Sequence, residues 1–113
     1  MVNQTGRLIE IEAKKRGFNV IRNLCGHGVG RSLHEEPHYI PNYFDRTNLA
    51  RFRKKSVVAI ETFISTKSSN TQPAGDGWTE IARGGGFVAQ HEHTIIVTEN
   101  EPIVLTLANG VWN

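Results

Sequence analysis

The 113 residues include one cysteine, Cys25, so the chain can form no disulfide within itself. Such sparse cysteine suits a reducing compartment, and the expected location is the cytoplasm. Long apolar runs are missing too. The longest is four residues, Val57-Val58-Ala59-Ile60, far short of the ~20 that a membrane-spanning helix needs. The N-terminal residues Met1 to Gly6 carry no basic-then-apolar signal pattern. Charge of one sign is not in excess: 13 basic residues face 11 acidic ones, for a net charge of +2. That balance argues against nucleic acid as a partner, and the one basic run, Arg51-Phe52-Arg53-Lys54-Lys55, reads as a solvated loop. The usual catalytic signatures are missing as well. There is no HExxH helix motif, no GxSxG elbow around Ser32, and no glycine spacing suited to a P-loop or a dinucleotide fold.

Hydrophobic residues make up 38% of the chain and charged residues 21%, an ordinary globular balance that predicts one domain over residues 1–113. A helix is expected over residues 5–16, capped by Asn3 or Thr5, stopped at Gly17, and presenting Leu8, Ile9, Ile11 and Ala13. A strand is expected over 18–24, followed by a glycine-rich turn, then irregular chain over 37–53. Val57 to Ile64 is rich in β-branched residues and predicts a strong strand. Residues 67–77 read as loop, 78–82 as a short strand, and 84–86 as a glycine turn. A second long strand is expected over 87–98, with 103–107 returning as a hairpin. One helix and about five strands give an α+β class with an antiparallel sheet.

Two of these strands carry carboxylates where apolar residues are the rule. Period two puts Val57, Ala59, Glu61 and Phe63 on one face, and Val88, Gln90, Glu92, Thr94 and Ile96 on one face of the other strand. Burying a lone carboxylate costs several kcal/mol unless it is paired, protonated or metal-bound. Glu61 therefore either faces water or has such a partner. His27 and His34 lie in the stretch CGHGVGRSLHEEP. His91 and His93 flank Glu92 and point to the opposite face of its strand. One histidine with two carboxylates is a recurrent ligand set for divalent metals, and His27, Glu61 and Glu92 sit on three separate elements. Cys25 as a nucleophile beside His27 or His34 is disfavoured, because no third group is placed to orient the base.

Taken together, CGHGVGRSLHEEP, AIETF and DGWTEIARGGGFVAQHEHTIIVTENEPIVLT resemble the C-terminal half of a type I methionine aminopeptidase, from the helix at Gly6 to about Leu107. The resemblance implies the C-terminal half of a pita-bread fold, with a mostly antiparallel sheet and one or two helices. It implies a metallo-hydrolase that removes the initiator methionine from nascent polypeptides at two divalent ions, Mn, Fe, Co or Zn. It assigns His27, Glu61 and Glu92 as metal ligands, with Glu92 also taking up a proton from water. His34 would stabilise the transition state at the scissile carbonyl. Trp78 and Leu33 would border the methionine pocket, and Gln90 would tune the site from behind the ligands. The family's two aspartate ligands and a further histidine come from its N-terminal half, ahead of the first residue of this chain. Asp45 and Asp76, the only aspartates, sit in loops and are not assigned as ligands. Thr62 and Lys54-Lys55-Ser56 replace a proline and a Pro-Gly turn common in the family, and Leu33 replaces an aromatic. These departures imply a partial site, inactive alone, with nascent peptide N-termini as partners and self-association through the face the other half would cover. The alternative is a non-catalytic peptide- or partner-binding module on the same fold.

Overall fold

The computed structural model describes residues 1–107. Helix α1 spans Val2–Lys15, three residues longer at its start than expected. Neither Asn3 nor Thr5 caps it. Both lie inside the helix, and Met1 is the N-cap without a side-chain bond. A helix start leaves backbone N–H groups without intrahelical partners. Here the N–H of Val2 donates to Ala50 O at 2.9 Å, in the loop that precedes the long strand, so tertiary structure does the work of a cap. The stop at Gly17 is as expected. Gly17 has φ 82°, its N–H donates to Lys14 O, and that of Phe18 donates to Ala13 O at 2.9 Å, the paired bonds of a Schellman motif.

The buried face of α1 carries Val2, Gly6 and Ala13, beside buried Asn3 and with Ile9 half-buried, whereas Leu8 and Ile11 point outward. Spacings of four, three and four residues keep the buried set on one side of the helix. The expected apolar stripe is thus only partly the core stripe. A Cβ on Gly6 would come within 2.0 Å of Tyr43 O, so the missing side chain sets how closely the helix lies on the chain beneath it.

The strands are β1 (Asn19–Val20), β2 (Cys25–Val29), β3 (Glu35–Pro41), β4 (Val57–Ser65), β5 (Thr71–Pro73), β6 (Glu80–Ala82), β7 (Val88–Ile96) and β8 (Ile103–Val104). Six of them form one antiparallel sheet in the order β3-β2-β4-β7-β8, and β1 pairs with the far end of β4 beside β2. β5 and β6 form a separate hairpin. The strand expected over 18–24 shrinks to two residues. Two segments expected to be irregular are strands. The glycine-rich stretch is β2, and the start of the 37–53 segment belongs to β3, an edge strand where Pro37 and Pro41 are tolerated. The expected loop over 67–77 contains β5. The strands β4, β6, β7 and β8 lie where the sequence puts them, β8 being shorter than predicted.

The core sits between α1 and one face of the sheet. Val2, Ile40 and Val58 are buried together, with Phe52, Ile60, Ile95 and Val97 packed around them. Among the described residues no helix is long and apolar enough to cross a membrane.

Candidate metal centre

Pairing between β4 and β7 sets Glu61 opposite Glu92, Phe63 opposite Gln90 and Ala59 opposite Thr94. Pairing between β2 and β4 sets His27 opposite Ala59. Residues opposite one another share a sheet face, so His27, Glu61, Gln90 and Glu92 all stand on the face away from α1. The alternation that puts Val58 and Ile60 into the core puts Glu61 on this face.

Glycine makes the close approach of β2 possible. A Cβ on Gly26 would meet Ala59 O at 2.3 Å, and one on Gly28 would meet Glu36 O at 2.2 Å. The strand is held between β3 and β4, and His27 is only 6% exposed. Its Nδ1 lies 2.8 Å from Gly28 O. A carbonyl can only accept, so Nδ1 carries the proton and Nε2 of the neutral ring carries a lone pair. That Nε2 is 2.9 Å from Glu61 Oε1. A lone pair facing a carboxylate oxygen needs a proton or a cation between them.

Burial pushes the Glu61 carboxyl above the usual range, and the nearby Glu92 charge adds to this, while His27 and His34 oppose it. Like charges directly opposite on a sheet repel. Gln90 lies between them, its Nε2 making long contacts to Glu61 Oε2 at 3.5 Å and Glu92 Oε2 at 3.4 Å. The His34 ring leans on the His27 ring with centroids 4.0 Å apart. Both line an open cleft of about 280 Å³ with Glu61, Cys25, His38 and Phe63.

The structure therefore brings together His27, His34, Glu61, Gln90 and Glu92. It does not bring Leu33 or Trp78 to the cleft walls. Leu33 is 74% exposed and Trp78 is 84% exposed, the latter in the β5–β6 loop, where its N–H donates to Asp76 Oδ1. Cys25 and His38 are cleft residues that sequence reasoning did not assign to a metal site. Their signal was masked because the segment holding His38 reads as irregular. Burial raises the Cys25 thiol's pKa, against a backbone hydrogen bond from Ile40, which disfavours a thiolate nucleophile.

The donor chemistry fits a divalent cation: an imidazole with its free lone pair on a buried strand, and two carboxylates whose mutual repulsion a positive ion would relieve. Closure is incomplete. Among the described residues no three His, Cys, Asp or Glu side chains converge tightly enough to hold an ion. The fit is that of part of a ligand shell.

Comparison with known proteins shows the family and the fold. The model of metallopeptidase family M24 matches residues 2–99. Methionine aminopeptidase 2 of Bacillus subtilis is 52% identical over 104 residues, which is 92% of this chain and 42% of that protein. A methionine aminopeptidase of Staphylococcus epidermidis is 37% identical over 105 residues, again 42% of its length. The crystal structure of a methionine aminopeptidase from Thermotoga maritima superposes with a TM-score of 0.85 at 40% identity, covering 93% of this chain and 42% of that one. One from Rickettsia prowazekii gives 0.84 at 31% identity, with the same coverage. The chain thus spans about two fifths of the length of these relatives, and the expected fold class, α+β with the sheet of a pita-bread half, is the one found.

Proposed function

The chain belongs to metallopeptidase family M24, and from that premise we propose that it carries part of the active site of a metal-dependent aminopeptidase that removes N-terminal methionine from nascent polypeptides in the cytoplasm. The observation that carries this reading is the 2.9 Å approach of His27 Nε2 to Glu61 Oε1, with Glu92 directly opposite Glu61.

In this reading His27, Glu61 and Glu92 hold divalent metal, two ions in the complete site, drawn from Mn, Fe, Co or Zn. Such ions, when bound, polarise the scissile carbonyl and make water a stronger acid. The residues of this chain do the rest. Glu92, on the exposed strand, accepts the proton that the attacking water loses. His34 donates a hydrogen bond to the oxygen on which negative charge develops. Gln90 holds the two carboxylates apart from each other and in register. The Nδ1–H of His27, fixed on Gly28 O, keeps Nε2 in the metal-facing tautomer. Leu33 and Trp78, both exposed here, are assigned to the border of the methionine side chain by the family resemblance alone.

Three donors do not fill the coordination of two ions, so the 113-residue chain alone is inactive. The exposed apolar side chains Leu8, Ile11 and Phe87 favour self-association, which light scattering across concentration tests, a monomer at every concentration refuting it. The decisive experiment mixes this chain with the remaining N-terminal portion of the Bacillus subtilis relative, adds Mn(II) or Co(II), and measures release of methionine from a Met-Ala peptide. Turnover that needs both pieces and disappears in Glu92→Gln supports the reading. Its absence, in a mixture shown to associate, favours the second reading, a non-catalytic peptide- or partner-binding module. One observation leans that way: no three-donor cluster among the described residues.

A further inference from the structure

The candidate metal cleft does not end at the sheet edge. Three open hollows lie in a row and share walls. The cleft itself, about 280 Å³, has His38 in its wall. His38 also lines a second hollow of about 300 Å³, with Glu36, Pro37, Tyr39 and Ala50. Glu36, Pro37 and Ala50 in turn border a third of about 200 Å³, completed by Arg51, Arg53 and Ser56. Together they form a groove along the outer side of β3, the edge of the sheet, which has no strand beyond it among the described residues. The far wall is the chain from Asn48 to Ser56, and hydrogen bonds hold it in place. Asn48 Nδ2 donates to Tyr39 O at 3.4 Å. The hydroxyl and the N–H of Ser56 both donate to Arg53 O. The N–H of Lys55 donates to Val97 O at 2.8 Å, and that of Val97 donates to Ser56 O at 2.9 Å.

The groove is basic where it ends. Arg51 and Arg53 are exposed, and among the described residues neither is in an ion pair. Glu36 is the one acidic residue in the groove wall, and it is paired with neither. Lys54 is tied to Glu99, and Lys55 beside it adds a further positive charge. The run that reads as a solvated loop by charge alone thus borders a groove. A guanidinium without a partner matches a carboxylate, which can take two of its N–H donors at once. An enzyme that removes one N-terminal residue holds one residue on the amino side of the scissile bond and the whole remaining polypeptide on the other. A long groove leading away from the reacting groups suits the second side. We propose that this groove carries the substrate polypeptide downstream of the methionine, and that Arg51 and Arg53 favour substrates with acidic residues a few positions along. Its continuity with the cleft at His38 favours a peptide over a nucleic acid. The identity of the occupant rests on the peptidase reading, whereas the groove, its edge strand and its charge do not.

The test is fluorescence anisotropy with the whole chain and three labelled peptides, Met-Ala-Gly-Glu-Glu-Glu-Gly and its Gln and Lys counterparts. The Glu peptide is expected to bind about tenfold more tightly than the Gln peptide, the combined effect of two exposed ion pairs. The Lys peptide is expected to be weakest, and the differences to fade in high salt. Arg51→Gln or Arg53→Gln alone is expected to weaken binding of the Glu peptide about threefold. In the double variant Arg51→Glu, Arg53→Glu the order of the Glu and Lys peptides reverses. Both side chains are exposed, so these variants keep the fold, and circular dichroism verifies that. Equal affinity for the three peptides, no binding of any, an order that survives in the double variant, or tighter binding of a short oligonucleotide than of the Glu peptide overturns the proposal. The comparison needs no turnover, so a failed complementation counts against the peptidase reading while this test still decides.

Discussion

Strands β2 and β7 both carry residues of the candidate metal centre, and they hold them in opposite ways. β2 is clamped between β3 and β4, and its proposed ligand His27 is nearly inaccessible. β7 is long but exposed over its first five residues, Glu92 included. Its outer neighbour β8 covers only its last turn of pairing, at Ile95 and Ile96. A rigid imidazole on the packed strand and an accessible carboxylate on the open one is a division of labour. In the proposed site the first would fix where an ion sits, and the second would meet the attacking water. It also means that changes in β2 act mainly on stability, while changes in β7 act mainly on chemistry.

The largest break in that contrast comes from Gly26→Ala. The added methyl would sit 2.3 Å from Ala59 O, a backbone atom that cannot swing aside. The strand must move away from β4, and we expect a loss of about 3 kcal/mol in denaturant unfolding. His27→Ala comes next. It leaves the buried Gly28 carbonyl without its imidazole partner, a loss on the order of 1–3 kcal/mol in the same measurement, and removes Mn(II) binding in calorimetry. Glu92→Gln sharpens the contrast from the other side. Stability should change by no more than about 0.5 kcal/mol, as for an exposed site, while Mn(II) affinity falls and complementation activity disappears.

The smallest effect is a pH dependence in the β5–β6 loop. Hydrogen bonds from the Thr79 hydroxyl, then the backbone N–H of Thr79 and of Trp78, hold the Asp76 carboxyl below its ordinary value of 3.8. With the folded pKa depressed, the loop's stabilisation is present above the unfolded pKa and is lost as pH falls through the folded one. The amide resonances of Trp78 and Thr79 should therefore move together in an acid titration with a midpoint below 3.8. A midpoint at or above that value contradicts the geometry.

Local chemistry made some of this legible. β4 announces itself by its β-branched run, β7 by its alternation, and the end of α1 by Gly17, because each signal is set within a few residues. The shared face of Glu61 and Glu92 follows from period two alone, once the strands pair. What was illegible depends on partners distant in the chain. The stretch Cys25–Val29 reads as a turn because glycine is the residue of turns. Its glycines are there because β3 and β4 crowd it, and sequence does not display neighbours. β3 was hidden by Pro37 and Pro41, which an edge strand accepts and a central one does not. The start of α1 was displaced because Ala50, far along the chain, accepts the N–H of Val2. Leu8 and Ile11 read as core by hydrophobicity, but the register set by Gly6 turns them outward. In the site itself, residue type pointed to His27, Glu61 and Glu92. Only the fold shows that Gln90 reaches both carboxylates and that the His34 ring lies against His27.

The central claim is that β2, β4 and β7 together present a metal-binding face on which His27 and Glu61 take the same ion. An anomalous difference map at the manganese edge, from a crystal of the chain soaked in Mn(II), tests it most directly. The account predicts a peak in coordination contact with both His27 Nε2 and Glu61 Oε1, on the side toward Glu92. A map with no peak there, or with manganese only at other positions, would contradict it.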